Sequence, residues 1–121
     1  MVKALLDTNI LIDYLNGLGQ AAEEINRFDD AAISVVSWIE VLAGANAKDE
    51  TDLRAFLSRF TLIGLDPPIA EGAARLKRKH RIKLPDAVIW ASARTSGRLF
   101  VTRDSKDFPP DDPGVRVPYK I

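Results

Sequence analysis

Val2-Lys3-Ala4-Leu5-Leu6, followed at once by Asp7, is the stretch that decides how the chain is read. A nearly continuous apolar run of this length suits a central strand covered on both faces. Beyond Asp7, Ile10, Leu11, Tyr14 and Leu15 recur at helical spacing, with Thr8 or Asn9 as the expected cap, until Gly17 and Gly19 interrupt. The same alternation repeats along the chain. A polar helix over Gln20 to Phe28 precedes a strand over Ala31 to Val35, and Ser37-Trp38-Ile39-Glu40 opens a helix through Ala43. Glu50 to Phe60 reads as helix and Thr61 to Leu65 as strand. Asp66-Pro67, a cap residue before proline, starts the next helix. Pro85 begins a further helix ending near Gly97, Leu99 to Thr102 is a strand, Phe108 to Gly114 a loop, and Val115-Arg116-Val117 a short edge strand. Strands alternating with helices predict an α/β fold, a parallel sheet sandwiched by helices, in one domain over residues 1–121.

In such a sheet the strand ends share one edge, and ligands bind in the crevice beyond them. Asp7, Glu40, Asp86 and Asp104 all fall at that edge or at adjacent helix starts. Each has a local explanation when taken singly. Asp7 suits a turn, Glu40 completes an S-x-x-E capping box with Ser37, Asp86 complements a helix dipole, and Asp104 suits a cap for the short turn after it. Together they imply more. Several carboxylates in one cleft repel one another unless protons or a cation relieve the charge. Magnesium takes oxygen ligands and keeps several waters, so one or two direct carboxylates suffice, with others behind them. The residues alone therefore predict a divalent-metal site, with room for a second ion.

The bulk composition narrows the class. A chain of 121 residues, 46% hydrophobic and 28% charged, fits one globular domain with a real core. With no cysteine, disulfides and thiolate metal sites are excluded, which suits a reducing compartment. No run approaches the ~20 apolar residues of a membrane span, and Met1-Val2-Lys3 leads straight into a strand, so a cytoplasmic protein is expected. Lys and Arg number 17, as do Asp and Glu, an unusual balance for a general nucleic-acid binder. The charge is segregated, however. Arg75, Lys77, Arg78, Lys79, Arg81 and Lys83 run without an acid just before Asp86, leaving a local phosphate-binding surface open.

Asp7-Thr8-Asn9-Ile10-Leu11-Ile12, Ser37-Trp38-Ile39-Glu40-Val41-Leu42-Ala43-Gly44, Asp86-Ala87-Val88-Ile89-Trp90-Ala91 and Thr102-Arg103-Asp104 resemble, in order, the four motif blocks of PIN-domain nucleases. The resemblance runs from Val2 to about Phe108 and looks most like VapC, the toxin ribonucleases of type II toxin–antitoxin modules. It implies a three-layer α/β/α sandwich with about five parallel strands. It assigns the acidic quartet to Asp7, Glu40, Asp86 and Asp104, with Asp7 and Asp86 the direct magnesium ligands, and makes Asn9, Thr102 and Asp107 supporting polar positions. Manganese is a possible substitute ion. A homodimer and a separately encoded VapB-type antitoxin are implied as partners, and a transfer-RNA or ribosomal-RNA loop as substrate. Trp90 is bulkier than the small residue expected at its position.

The expected reaction is metal-dependent hydrolysis of RNA, leaving 5′-phosphate and 3′-hydroxyl ends. Internal attack by a 2′-hydroxyl usually needs positioned acid and base groups, whereas the chain has a single histidine, His80. Arg75, Lys79 and Lys83, spaced i, i+4, i+8, are candidates for RNA phosphates, and Arg94, Arg98 and Arg103 compete for that role. Trp38 and Trp90 lie in apolar helical patterns and are expected in the core or a dimer contact rather than stacked on a base. Other readings remain at this stage. A magnesium phosphatase with an aspartyl nucleophile is disfavoured because Asp7-Thr8-Asn9 lacks the second aspartate of a D-x-D pair. A housekeeping PIN nuclease and a non-cleaving RNA- or protein-binding PIN module are the remaining alternatives.

Overall fold

The computed structural model describes residues 2–121, so Met1 lies outside the described residues. Five strands, β1 (Lys3–Leu6), β2 (Asp30–Ser34), β3 (Thr61–Ile63), β4 (Leu99–Val101) and β5 (Val115–Arg116), form one sheet in the order β3-β2-β1-β4-β5. Every pairing is parallel. Around it lie α1 (Thr8–Leu15), α2 (Gly19–Arg27), α3 (Val35–Ala43), α4 (Glu50–Leu57), α5 (Pro67–His80) and α6 (Leu84–Thr95).

The pleat of β1 sorts the core into two halves. Leu5 points into a cluster with Phe100, Leu76, Ile89, Trp90 and Phe108, beneath α5 and α6. Ala4 and Leu6 point the other way, into a cluster with Ile10, Leu11, Ile25, Ile33, Phe56 and Val101, beneath α1, α2 and α4. All three β1 residues are fully buried, as an apolar strand covered on both faces must be. Trp90 is a core residue, 1% exposed, with Phe108 edge-on at 5.5 Å and Phe100 stacked at 6.5 Å. Its size fills the space between α6 and the sheet. Trp38 is half-buried, with the Arg54 guanidinium 5.4 Å above its ring.

Helix boundaries differ instructively from expectation. Asp7 itself caps α1, accepting the Thr8 N–H, in place of Thr8 or Asn9. Ser34, not Ser37, caps α3 by accepting the Val36 N–H, so Ser37 lies inside the helix. Leu84 rather than Pro85 starts α6, and α4 stops at Leu57. Asp66 caps α5 as expected, accepting the Ile69 N–H at 3.0 Å ahead of two prolines. Gly17 and Gly97 take the left-handed conformation, at φ 87° and 68°, that turns the chain out of α1 and α6.

The strand order reverses at β1. From it the chain builds outward one way to β2 and β3, and the other way to β4 and β5. The crevice between the carboxyl ends of β1 and β4 is therefore the switch point, where ligands bind in open α/β sheets.

Two substitutions separate core from cap. Trp90→Ala should cost about 3–5 kcal/mol of unfolding free energy, and Asp66→Ala about 1 kcal/mol. Denaturant melts of both variants check the contrast, and similar costs would contradict it.

Candidate metal centre and active site

Asp7 follows β1 and Thr102 follows β4, so the two meet across the switch point. The Asp7 N–H donates to the Val101 carbonyl at 2.8 Å, and the Thr102 hydroxyl donates to Asp7 Oδ2 at 2.8 Å. Asn9 Nδ2 reaches the same carboxylate oxygen at 3.3 Å, while Asp7 Oδ1 accepts from the Thr8 N–H at 2.8 Å. Asp7 is only 4% exposed. Burial pushes its carboxyl up to about 7, against the lowering pull of the Thr102 and Thr8 hydrogen bonds, and the charges of Asp86 and Glu40 add to the rise.

The other acids arrive from separate segments. Asp86 sits in the first turn of α6. Its carboxyl is raised by burial first, then by the charges of Asp107, Glu40 and Asp104, with Lys83 pulling the other way. Glu40 Oε1 accepts from the Thr8 hydroxyl at 2.7 Å. Asp104 donates its N–H to Thr102 Oγ1 at 3.1 Å, and its Oδ1 accepts the Lys106 and Asp107 N–H groups at 2.9 and 3.0 Å. The four acids and Asp107 thus share one electrostatic field at the carboxyl edge.

This donor set fits a hard divalent cation. It consists of carboxylate oxygens whose mutual repulsion and burial favour protons or a metal, with Lys83 pulling against that rise at Asp86. Among the described residues, no three carboxylates or histidines stand close enough together to hold a metal ion. Magnesium keeps several waters in its shell, so one or two direct carboxylates would suffice.

Several supporting residues escape a sequence reading. Thr8 and Ser37 are buried, their hydroxyls 2.8 Å apart, so α1 holds Glu40 and Ser37 at once. The only signal was the i, i+3 spacing of Ser37 and Glu40, which equally describes a capping box. Asp13 is 6% exposed on the buried side of α1. It accepts from Arg103 Nε and Nη2 at 2.6 and 3.2 Å and from the Tyr119 hydroxyl at 2.8 Å. The Asp13 hydrogen bond raises Arg103, while burial and then Asp13 raise Tyr119. A buried acid on an apolar helix face was the available clue. This clamp fixes Arg103, and the Arg103 N–H donates to Asn9 Oδ1 at 3.2 Å, so Thr102-Arg103-Asp104 is anchored on both sides.

The candidate phosphate-binding cations separate into groups. Lys83 lies beside Asp86. Arg75, Lys79 and Arg94 line one cavity between α5 and α6. Arg103 is engaged by Asp13, as above. Arg98 is not near the crevice. It binds the Ala4 and Asp30 carbonyls and the Asp30 carboxylate at the amino ends of β1 and β2, and lowers the Asp30 carboxyl. His80 packs its ring 4.7 Å from Trp90.

Against known proteins, the PIN domain family model matches residues 4–109. The chain is 32% identical to Ribonuclease VapC19 of Mycobacterium tuberculosis, over 95% of this chain and 98% of that protein. This chain belongs to the VapC-type PIN domains. Among solved structures, a toxin–antitoxin complex from Klebsiella pneumoniae contains a chain 40% identical to this PIN domain. It superposes with a TM-score of 0.93 over 98% of this chain and 100% of its own. DNA-bound VapBC from Salmonella typhimurium shares the fold, with a TM-score of 0.79 at 23% identity over 96% of each chain. Among the described residues of the PIN domain, no helix is long and apolar enough to cross a membrane.

The Asp7 shift carries a pH signature in metal-free protein. The folded carboxyl titrates at about 7 against an ordinary 3.8, so between those values the folded state holds a proton that the unfolded state releases. Stability from this group is full below about pH 4 and lost as pH rises through 7. Thermal melts with chelator should show Asp7→Asn flattening that decline. Parallel pH profiles would contradict it.

Proposed function

We propose that this chain is a divalent-metal-dependent endoribonuclease, the toxin of a VapBC-type module, cutting RNA to leave 5′-phosphate and 3′-hydroxyl ends. The observation that carries the reading is that Glu40 and Asp104 are tied to the Asp7 corner through Thr8 and Thr102 at the β1/β4 switch point, with the charges of Asp86 and Asp107 acting there too. Asp7 and Asp86 would hold magnesium, or manganese in its place, with Glu40 and Asp104 as supporting carboxylates. Bound there, the ion would supply Lewis-acid stabilisation of the phosphoryl oxygens and would lower the pKa of a water nucleophile.

The chain's own groups set the geometry. Thr102 and the Thr8 N–H fix the plane of the Asp7 carboxylate, and Asn9 braces it. Thr8 holds one oxygen of Glu40, leaving the other to orient the attacking water. The turn at Asp104 to Asp107 places Asp107 where its charge acts on Asp86.

The relatives support a protein partner. A cleft of about 480 Å³ beside Glu40 has an apolar floor of Ile12, Leu15, Val41 and Leu53, with Asp49 and Asp52 also lining it. This cleft suits an antitoxin segment that buries apolar side chains and directs a basic one at the carboxylates. A homodimer is part of the same reading.

Purified, antitoxin-free protein incubated with total RNA and magnesium should give discrete cuts with 5′-phosphate ends. Asp86→Asn should reduce cutting by more than about a hundredfold, the upper range for an outer-shell group, and chelator should abolish it. Cuts that persist through chelation, or that end in 2′,3′-cyclic phosphate, would refute the reading. In cells, expression should arrest growth, with relief by the cognate antitoxin. Leu53→Arg should block that relief while leaving the arrest in place, and normal rescue of Leu53→Arg would displace the antitoxin from this cleft.

A further inference from the structure

Between α5 and α6 lies a second cavity, of about 280 Å³, separate from the acidic crevice. Gly72 and Ala91 form part of its floor, and a Cβ on Gly72 would stand 3.4 Å from the Ala91 Cβ, so the helices cross closely there. Arg75, Lys79 and Arg94 line it with Thr95, and no carboxylate is among its lining residues. Arg75 and Lys79 are one turn apart on α5, and Arg94 comes from α6. Arg94 is pre-positioned, its guanidinium 5.5 Å over the Trp90 ring. Arg75 pairs with Glu71 at 3.7 Å, both side chains exposed, which is a weak restraint. In a chain of zero formal net charge, three cations around one polar-rimmed cavity form a local anion site.

Its placement names the anion. Arg94 lies eight residues beyond Asp86 on α6, about 12 Å along the axis. Lys79 is four residues before Lys83, which sits beside Asp86. Lys79 stands in the last turn of α5 and Lys83 at the start of α6, so basic groups flank the turn that leads into Asp86. A separation of this order is spanned by a few nucleotides of a single RNA strand.

We propose that Arg75, Lys79 and Arg94, with Thr95, form a phosphate-binding exosite. It grips the RNA backbone a few nucleotides from the scissile bond, so the substrate is an RNA with an extended flank rather than a minimal cut site. This rests on the ribonuclease reading above and adds the second point of attachment. The Arg103 guanidinium, held by Asp13, contributes to the fold and not to this exosite.

The test compares R75Q/K79Q/R94Q with K48Q/R59Q/K120Q, which removes equal charge from exposed positions elsewhere. Both sets are made in the Asp86→Asn background, and binding of a labelled stem–loop RNA is followed by anisotropy at several salt concentrations with magnesium. The exosite set should weaken binding about tenfold or more and lower the log–log salt slope by about 2, nearly uniformly across sequences. The control set should do neither. A trinucleotide should bind both sets alike. Equal effects from the two sets, or none from the exosite set, overturn the exosite. So does unchanged RNA affinity with an altered hydrodynamic mass, which would assign the cavity to contact between copies. Whether the protein with Asp86 intact cuts RNA is read separately, so failure of the nuclease reading is distinguishable from failure of the exosite.

Discussion

The structure turns on a buried carboxylate at the end of its central strand. Asp7 stands where the strand order reverses and does two jobs with one side chain. Its Oδ1 caps α1, while its Oδ2 takes the Thr102 hydroxyl from the neighbouring strand end. An isolated buried carboxylate is costly. Those hydrogen bonds compensate only in part, since the carboxyl still sits near 7. In the proposed metal centre, the unrelieved part of that cost would favour binding of a cation.

Other constraints serve that position. The apolar β1 run fixes the strand at the centre of the sheet, which sets Asp7 at the switch point. Ionic clamps then tie the surrounding segments. Asp13 joins Arg103 to Tyr119, and Glu24, 3% exposed, joins Arg116 to Arg27. The Glu24 hydrogen bond raises Arg116. Buried ion pairs are weak contributors to net stability, because desolvation offsets their attraction, but losing one partner is severe. Here they fix position: the C-terminal segment at Arg116 to Tyr119 is strapped to α1 and α2, and the Thr102-Arg103-Asp104 corner cannot drift from the crevice.

Much of this was legible in the chain itself. The β1 run, the helical spacing after it and the Asp66-Pro67 start led to the right elements, and the five-stranded parallel sheet and membership of the VapC-type PIN domains agree with the resemblance. Caps were harder to place, because Asp7 and Ser34 precede segments with several eligible cap residues. Strand ends likewise ran past hydrogen-bonded pairing, as at Gly64 and Leu65. The polar framework behind the acids was largely hidden. Thr8, Ser37 and Asp13 act through partners 29 to 106 residues away, and no local pattern encodes such pairings. Long-range placement also divided the cations. Arg98 went to the amino edge and Arg103 to a clamp, whereas Arg75, Lys79 and Arg94 came together.

The ionisation of Asp7 is the point on which the proposed metal centre stands. Carbon-13 NMR of the aspartate carboxyls, with Asp7→Asn used for assignment, would follow its titration with and without magnesium. A cation-binding Asp7 predicts titration near pH 7 in chelator and a large downward move on adding the ion, with Asp86 moving in the same direction. An Asp7 that titrates in the ordinary carboxylate range, or one that magnesium leaves unmoved, would contradict a metal centre built on it.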